Sequence, residues 1–173
     1  MIDFPILSLM TFLPLLGVAF LLLFVRGTDE IAAINARWTA VWTSLFTLAL
    51  STLLLARFDP DEAGFQFVEK MQWLPALNIS YHIGVDGISL FLIMLSALLT
   101  PICIIASWRS IQYRVKEYMI AFLLLEMFMI GTFCALDLVL FYIFFEGVLI
   151  PMFLIIGIWG GKRRIYSAFK FFL

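Results

Sequence analysis

The apolar positions of this chain fall into long uncharged runs separated by short charged ones. Phe4–Val25 is free of charge for 22 residues and is bounded by Asp3 and Arg26. Trp38–Ala56 gives 19 such residues between Arg37 and Arg57, and Gly87–Trp108 gives 22 between Asp86 and Arg109. Each run matches the roughly 20 apolar residues that a helix needs to cross a bilayer core. Tyr118–Gly161 is apolar over 44 residues, broken only by Glu126, Asp137 and Glu146. At helical rise that is about 66 Å, two crossings rather than one. Asp137 near its middle is the natural turn. A further apolar run opens at Ile165 and is still in progress at Leu173. The pattern predicts an all-α polytopic membrane protein. It has five full transmembrane helices, over about 4–25, 38–56, 87–108, 118–136 and 138–161, plus the start of a sixth at 165–173.

The one long polar segment, 57–86, behaves differently. Leu77, Ile79 and Tyr81 alternate with Asn78 and Ser80 at period two, the signature of a strand. With Phe65, Phe67, Trp73 and Leu74 before the Pro75 turn, this predicts a small β-hairpin with His82 at its end. A lone loop histidine is ordinarily solvated, and no second ligand is spaced to make it a metal site.

Composition sharpens the class. The chain is 64% hydrophobic and 13% charged, against about 45–50% and about 25% in soluble domains. A soluble fold this apolar would expose large sticky patches, and disorder is excluded because so much surface can be buried. A net charge of −1 leaves no basic footprint for nucleic acid. Cys103 and Cys134 lie in apolar runs and make neither a disulfide scaffold nor a zinc site.

The charges also set an orientation. Arg26, Arg37, Arg109, Arg114, Lys116, Lys162, Arg163, Arg164 and Lys170 fall on one side of the predicted membrane, and only Arg57 and Lys70 on the other. Lys and Arg favour the cytoplasmic side, so the N-terminus and the 57–86 hairpin are expected outside. Trp38, Trp108 and Trp159 lie at the predicted inner ends, as an interfacial belt places them. The first span does not read as a signal peptide: no basic residue precedes it and its apolar run is too long. Gly157 and Gly161 fit the small-xxx-small pattern of close helix packing.

Two acids remain where charge is expensive. Glu126 is 11 residues before Asp137 and Glu146 is 9 after it, so both sit roughly 14–17 Å from the outer turn, near the midplane, on neighbouring antiparallel helices. An acid at that depth costs about 2.5–3.5 kcal/mol on insertion scales. Low polarity favours the neutral form of a carboxyl, and a nearby cation favours the charged form. A carboxyl poised between the two loads and releases a proton as its neighbour moves, which is what a proton relay requires. Glu146 is therefore the expected proton-transfer residue. Glu126 is either a second group on the proton route or a neutral acid packed against a Ser, Thr or backbone carbonyl. Pro151, five residues after Glu146, removes a helix hydrogen bond next to Gly147 and is expected to loosen and hydrate the backbone there.

No Lys, Arg or His lies at midplane in the five full spans, and Lys170 in the last run is placed to snorkel toward the inner surface. The counter-charge for Glu146 must come from another subunit or from a continuation of the chain. There is no glycine-rich phosphate loop, no cysteine cluster, no pair of axial histidines and no nucleophile triad. No cofactor or metal is expected in this chain.

The run from Asp137 through Glu146, Gly147 and Pro151 to Ile158-Trp159-Gly160-Gly161 closely resembles the subunit M family of proton-pumping NADH:quinone oxidoreductase (respiratory complex I), called chain 4 in mitochondria. Gly84-Val85-Asp86-Gly87-Ile88-Ser89-Leu90, the Lys116–Phe122 run with Glu126, and Phe65-Gln66-Phe67-Val68 fit as well. The resemblance covers essentially the whole chain. It implies an antiporter-like helix bundle in a membrane arm, in the bacterial inner or mitochondrial inner membrane, beside other membrane-arm subunits and lipid. Glu146 matches the family's essential fifth-helix acid, whose partner is a lysine on the seventh helix. The resemblance also implies that NADH, FMN, iron–sulfur clusters and quinone belong to other subunits. The family is roughly three times longer, so a stop at Leu173 points to a truncated coding sequence, a partial chain or a split subunit. Two rival expectations are a subunit of a multisubunit cation/proton antiporter, which shares the fold and the buried acid, and a non-conducting structural or assembly fragment.

Overall fold

The structure, a computed structural model, describes residues 5–27, 30–62, 64–75 and 79–173. Its elements are α1 (Ile6–Phe24), α2 (Glu30–Arg57), β1 (Gln66–Leu74), β2 (Ile79–Val85), α3 (Gly87–Ala106), α4 (Val115–Cys134), α5 (Leu138–Trp159) and α6 (Arg164–Phe172). Helices α1 to α5 are each long and apolar enough to cross a membrane. Their outward faces carry exposed side chains such as Leu16, Leu23, Phe91, Ile105 and Leu154. Water would penalise such faces, whereas hydrocarbon accepts them. The chain is a multi-pass membrane protein.

α4 is the hub, packing against α1, α2, α3 and α5, while α6 packs on α5. Small residues set the closest approaches. A Cβ on Gly131 would meet the Phe144 ring at 2.5 Å, one on Gly147 would collide with Phe128, and one on Gly17 would meet Thr43 at 2.6 Å. Of the expected glycine pair, a Cβ on Gly157 would stand 3.6 Å from Ala168 of α6, whereas one on Gly161 would meet nothing within 4 Å.

The one large departure from the predicted spans is α2, which starts at Glu30 rather than near Trp38. Arg37 does not end the membrane helix but lies inside it. Its guanidinium is 5% exposed, donates to the Ile111 carbonyl at 2.8 Å and to Gln112 Oε1 at 3.1 Å, and stacks 5.5 Å from the centre of the Trp108 ring. The charge is thus taken up by the α3–α4 turn. Trp38 meets Trp108 edge-on, and Trp159 Nε1 donates to the Tyr113 carbonyl at 2.7 Å. The three expected belt tryptophans therefore sit at one end of the bundle and tie this turn down.

The opposite end holds the hairpin. β1 and β2 pair antiparallel, with Lys70 opposite His82 and Met71 opposite Tyr81. His82 lies inside β2 rather than at the hairpin's end, and Leu77 and Asn78 of the expected alternation lie outside the described residues. An extra residue between Gln66 and Glu69 forms a bulge, with Phe67 at φ 52°. The other edge of β2 is held by Leu136, whose N–H donates to the His82 carbonyl at 2.8 Å.

Three carboxylates fasten this end to helix starts. Asp86 caps α3 in a reciprocal capping box with Ser89. Asp137 caps α5 by accepting from Val139 N (2.9 Å) and Leu140 N (3.2 Å), and also accepts from Ser80 N of β2 (3.2 Å). Glu69 of β1 reaches across to the start of α1, accepting from Leu7 N at 2.9 Å, Ser8 N at 3.2 Å and the Ser8 hydroxyl. Helix starts expose unpaired N–H groups and a positive dipole end, so acids settle there.

Candidate proton-transfer site

Glu126 lies in the middle of α4 with 0% exposure, and neither carboxyl oxygen has a hydrogen-bond partner. Glu146 lies in the first half of α5 and is half-buried. Depth along the chain placed them level. Their directions around the helices separate them. The face of α4 that meets α5 is marked by Phe128, against Gly147, and Gly131, against Phe144. At about 100° per residue, Glu126 points roughly 140–160° away from both. On α5 the buried seam is Leu140, Phe144, Gly147 and Pro151, and Glu146 stands roughly 100–160° from each of these. The two carboxyls therefore do not face one another. Glu126 looks into the bundle and Glu146 looks out of it.

Around Glu146 the structure adds a group that the sequence reading missed. Tyr142, one helical turn earlier, stands on the same side of α5 with its hydroxyl near the Glu146 carboxyl. The i, i+4 spacing was the available signal. Among the described residues the only ion pair is Arg114–Glu117 at 3.2 Å, so no cation touches either midplane acid. Pro151 does not break α5, which runs unbroken to Trp159. Pro151 is buried and lines a groove with Leu124 and Phe128 of α4.

Outside the spans, the acids follow their partners. N–H donation from Ser80, Leu140 and Val139 holds the Asp137 carboxyl below its ordinary range. Donation by Ser89 does the same for Asp86. Burial pushes the Tyr81 phenol up, and its oxygen lies 2.7 Å from Ser8 Oγ. Among the described residues no group of three His, Cys, Asp or Glu side chains could hold a metal ion. A groove of about 700 Å³ between α1 and α2 is lined by residues such as Phe20, Trp38 and Trp42 and by neither acid.

Fold and site together define a class: multi-pass helix bundles with acidic side chains set into their membrane spans. Residues 4–136 match the family described as NADH-ubiquinone oxidoreductase chain 4, amino terminus, and the chain belongs to that family. Residues 135–173 match the family described as NADH:quinone oxidoreductase/Mrp antiporter, TM. The chain is 56% identical to NADH-quinone oxidoreductase subunit M of Rhodobacter capsulatus, over 97% of this chain and 32% of that one. It is 50% identical to NADH-ubiquinone oxidoreductase chain 4 of Marchantia polymorpha, over 96% and 33%. It thus spans about a third of the length of these relatives. A chain of respiratory complex I from Thermus thermophilus shares the fold with a TM-score of 0.76 at 24% identity, over 94% of this chain and 31% of that one.

Proposed function

We propose that this chain contributes to the membrane arm of an NADH:quinone oxidoreductase and carries part of a proton path coupled to quinone reduction. Glu146 is the proton-transfer carboxylate and Glu126 a second group on the route. The observation that carries this reading is the position of Glu146 at mid-span, half-buried on the face of α5 that points away from α4. A carboxyl there can meet a basic group or water from a neighbouring helix, and Tyr142 adds a polar group on the same side of α5. A cation approaching Glu146 favours release of its proton, and withdrawal favours uptake. Pro151 leaves the Gly147 carbonyl without its usual donor, beside the same carboxyl. NADH, FMN, iron–sulfur clusters and quinone reside in other subunits. The membrane is the bacterial inner or mitochondrial inner membrane, with the N-terminus and hairpin on the outer side, as nine basic residues against two favour.

In the complex with the full-length subunit, Glu146→Gln is expected to leave assembly intact and abolish coupled proton pumping. A normal proton-to-electron ratio in that variant refutes the role of Glu146. The rival reading, a cation/proton antiporter subunit, draws on the second family match. Affinity capture from native membranes distinguishes them, because only an oxidoreductase subunit brings down peripheral redox subunits.

A further inference from the structure

The interior of the α1–α4 bundle is more polar than an apolar core requires. Ser44, Thr47 and Ser51 of α2, Ser96 and Thr100 of α3 and Thr11 of α1 are all buried together with Glu126. On α2 these hydroxyls continue a stripe of small buried residues from Ala36 and Ala40, which marks the inward face of that helix. Glu126 points at it. On α4, Lys116 marks the direction of α1, because its Nζ donates to the Val25 carbonyl at 2.7 Å. Tyr118 meets Trp159 of α5 edge-on at 5.1 Å and lies beside Ser107, the residue that follows α3. Glu126 lies about 80° from Lys116 and from Tyr118, midway between them, and α2 is the helix that packs against α1, α3 and α4 alike. The depths agree. Glu126 is about 12 Å from the hairpin end of its helix, Ser51 about 9 Å, Ser96 about 14 Å and Thr47 about 15 Å.

Thr11 Oγ1 has no partner, but it lies beside Cys134, two turns nearer the hairpin than Glu126; the hydroxyls of α2 and α3 have already spent their protons. Ser44 donates to the Val41 carbonyl, Thr47 to Thr43, Ser51 to Leu48, Ser96 to Leu92 and Thr100 to Ser96, at 2.8–3.2 Å. Each then offers only lone pairs to its surroundings. A carboxylate needs donors or a cation, and this wall supplies neither. The described part of α1 has no charged residue, and neither has α3. The charges of α2 are Glu30 and Arg57 at its ends and Arg37, committed to the α3–α4 turn. Those of α4 are Lys116 and Glu117 in its first turn, and Glu146 of α5 lies off the α4–α5 seam. Cys134 of α4 is two turns nearer the hairpin, beside Thr11. The missing donor is a single proton. A carboxylic acid needs no cation and carries its own O–H, so the neutral form of Glu126 suits a wall that offers only acceptors, although neither of its oxygens has a hydrogen-bond partner among the described residues.

We infer that Glu126 and the hydroxyls of α2 and α3 form a proton-holding site on the α1–α2–α3 side of α4, facing away from Glu146. This deepens the role proposed above for Glu126 and rests on that reading only for the complex used as the sample. The test is infrared spectroscopy of the complex carrying the full-length subunit at neutral pH, in the carbonyl region of protonated carboxylic acids. A band present in the wild type is expected to vanish in Glu126→Gln, to persist in Glu146→Gln and to shift in Ser51→Ala or Ser96→Ala. Glu126→Gln matching the wild type in this region overturns the inference, as does a band lost equally in Glu146→Gln. If Glu126→Gln does not assemble, the serine variants decide, and a band that moves in neither overturns it. The spectrum is read without turnover. Normal pumping in Glu146→Gln therefore refutes the proposed function while leaving this site standing.

Discussion

Gly147 is where the packing of α4 on α5 is tightest, because its missing Cβ is the space that the Phe128 ring occupies. Alanine gains about 1 kcal/mol over glycine in a helix interior, but forcing a methyl into a filled core costs about 1–3 kcal/mol. Gly147→Ala is therefore expected to lower the thermal stability of the subunit, and Gly147→Leu to prevent assembly. Gly157→Ala, whose Cβ would stand 3.6 Å from Ala168, is expected to be neutral or mildly stabilising. Thermal unfolding of the detergent-solubilised complex separates these outcomes. The same residues show what sequence spacing conveys. It can say that a backbone is able to approach another, but not which side chain lies opposite. Gly157 and Gly161 have the right spacing, yet only Gly157 has a neighbour. Gly131 and Gly147 had no motif and make the close contacts.

At the scale of elements, the acidic outer segment reads differently once its partners are known. In the sequence, Glu69, Asp86 and Asp137 are charges outside the membrane. In the structure each terminates a helix start. Glu69→Ala is expected to cost about 1 kcal/mol, a typical value for a lost cap. It should speed amide exchange at Leu7 and Ser8 and along β1, while α3, which holds its own capping box, is unchanged. Asp137 gives a pH dependence with a definite sign. Its folded-state pKa is lowered, so its contribution is complete above the ordinary aspartate value and is lost as pH falls through the folded value. Amide protection at Ser80, Val139 and Leu140 is therefore expected to be flat around neutrality and to fall in acid. In Asp137→Asn that acid-dependent step should be absent. Hydrogen exchange measured across the acid range checks both.

At the scale of the whole molecule, the five crossings and the hairpin were legible because apolar run length and period-two alternation are each dictated by one surrounding, bilayer or half-buried sheet. The start of α2 was not, because a run-length reading treats every arginine as a boundary, and Arg37 finds its partners 74 and 75 residues away at Ile111 and Gln112. The depth of Glu126 and Glu146 was also legible, but their mutual direction was not. That direction depends on which neighbour each face of α4 meets, and α4 is surrounded by four helices. Two acids at one depth therefore face different sides of the bundle.

The cap on α1 carries a consequence for how the protein is made. Glu69 follows Leu7 by 62 positions, so the first turn of α1 is synthesised well before its own cap. At about 5–20 residues per second the ribosome needs roughly 3–12 s to deliver it. By then α2 must have crossed back so that the hairpin can emerge on the same side as the first turn of α1. The hairpin end of α1 is thus the oldest part of the bundle and among the later parts to be finished.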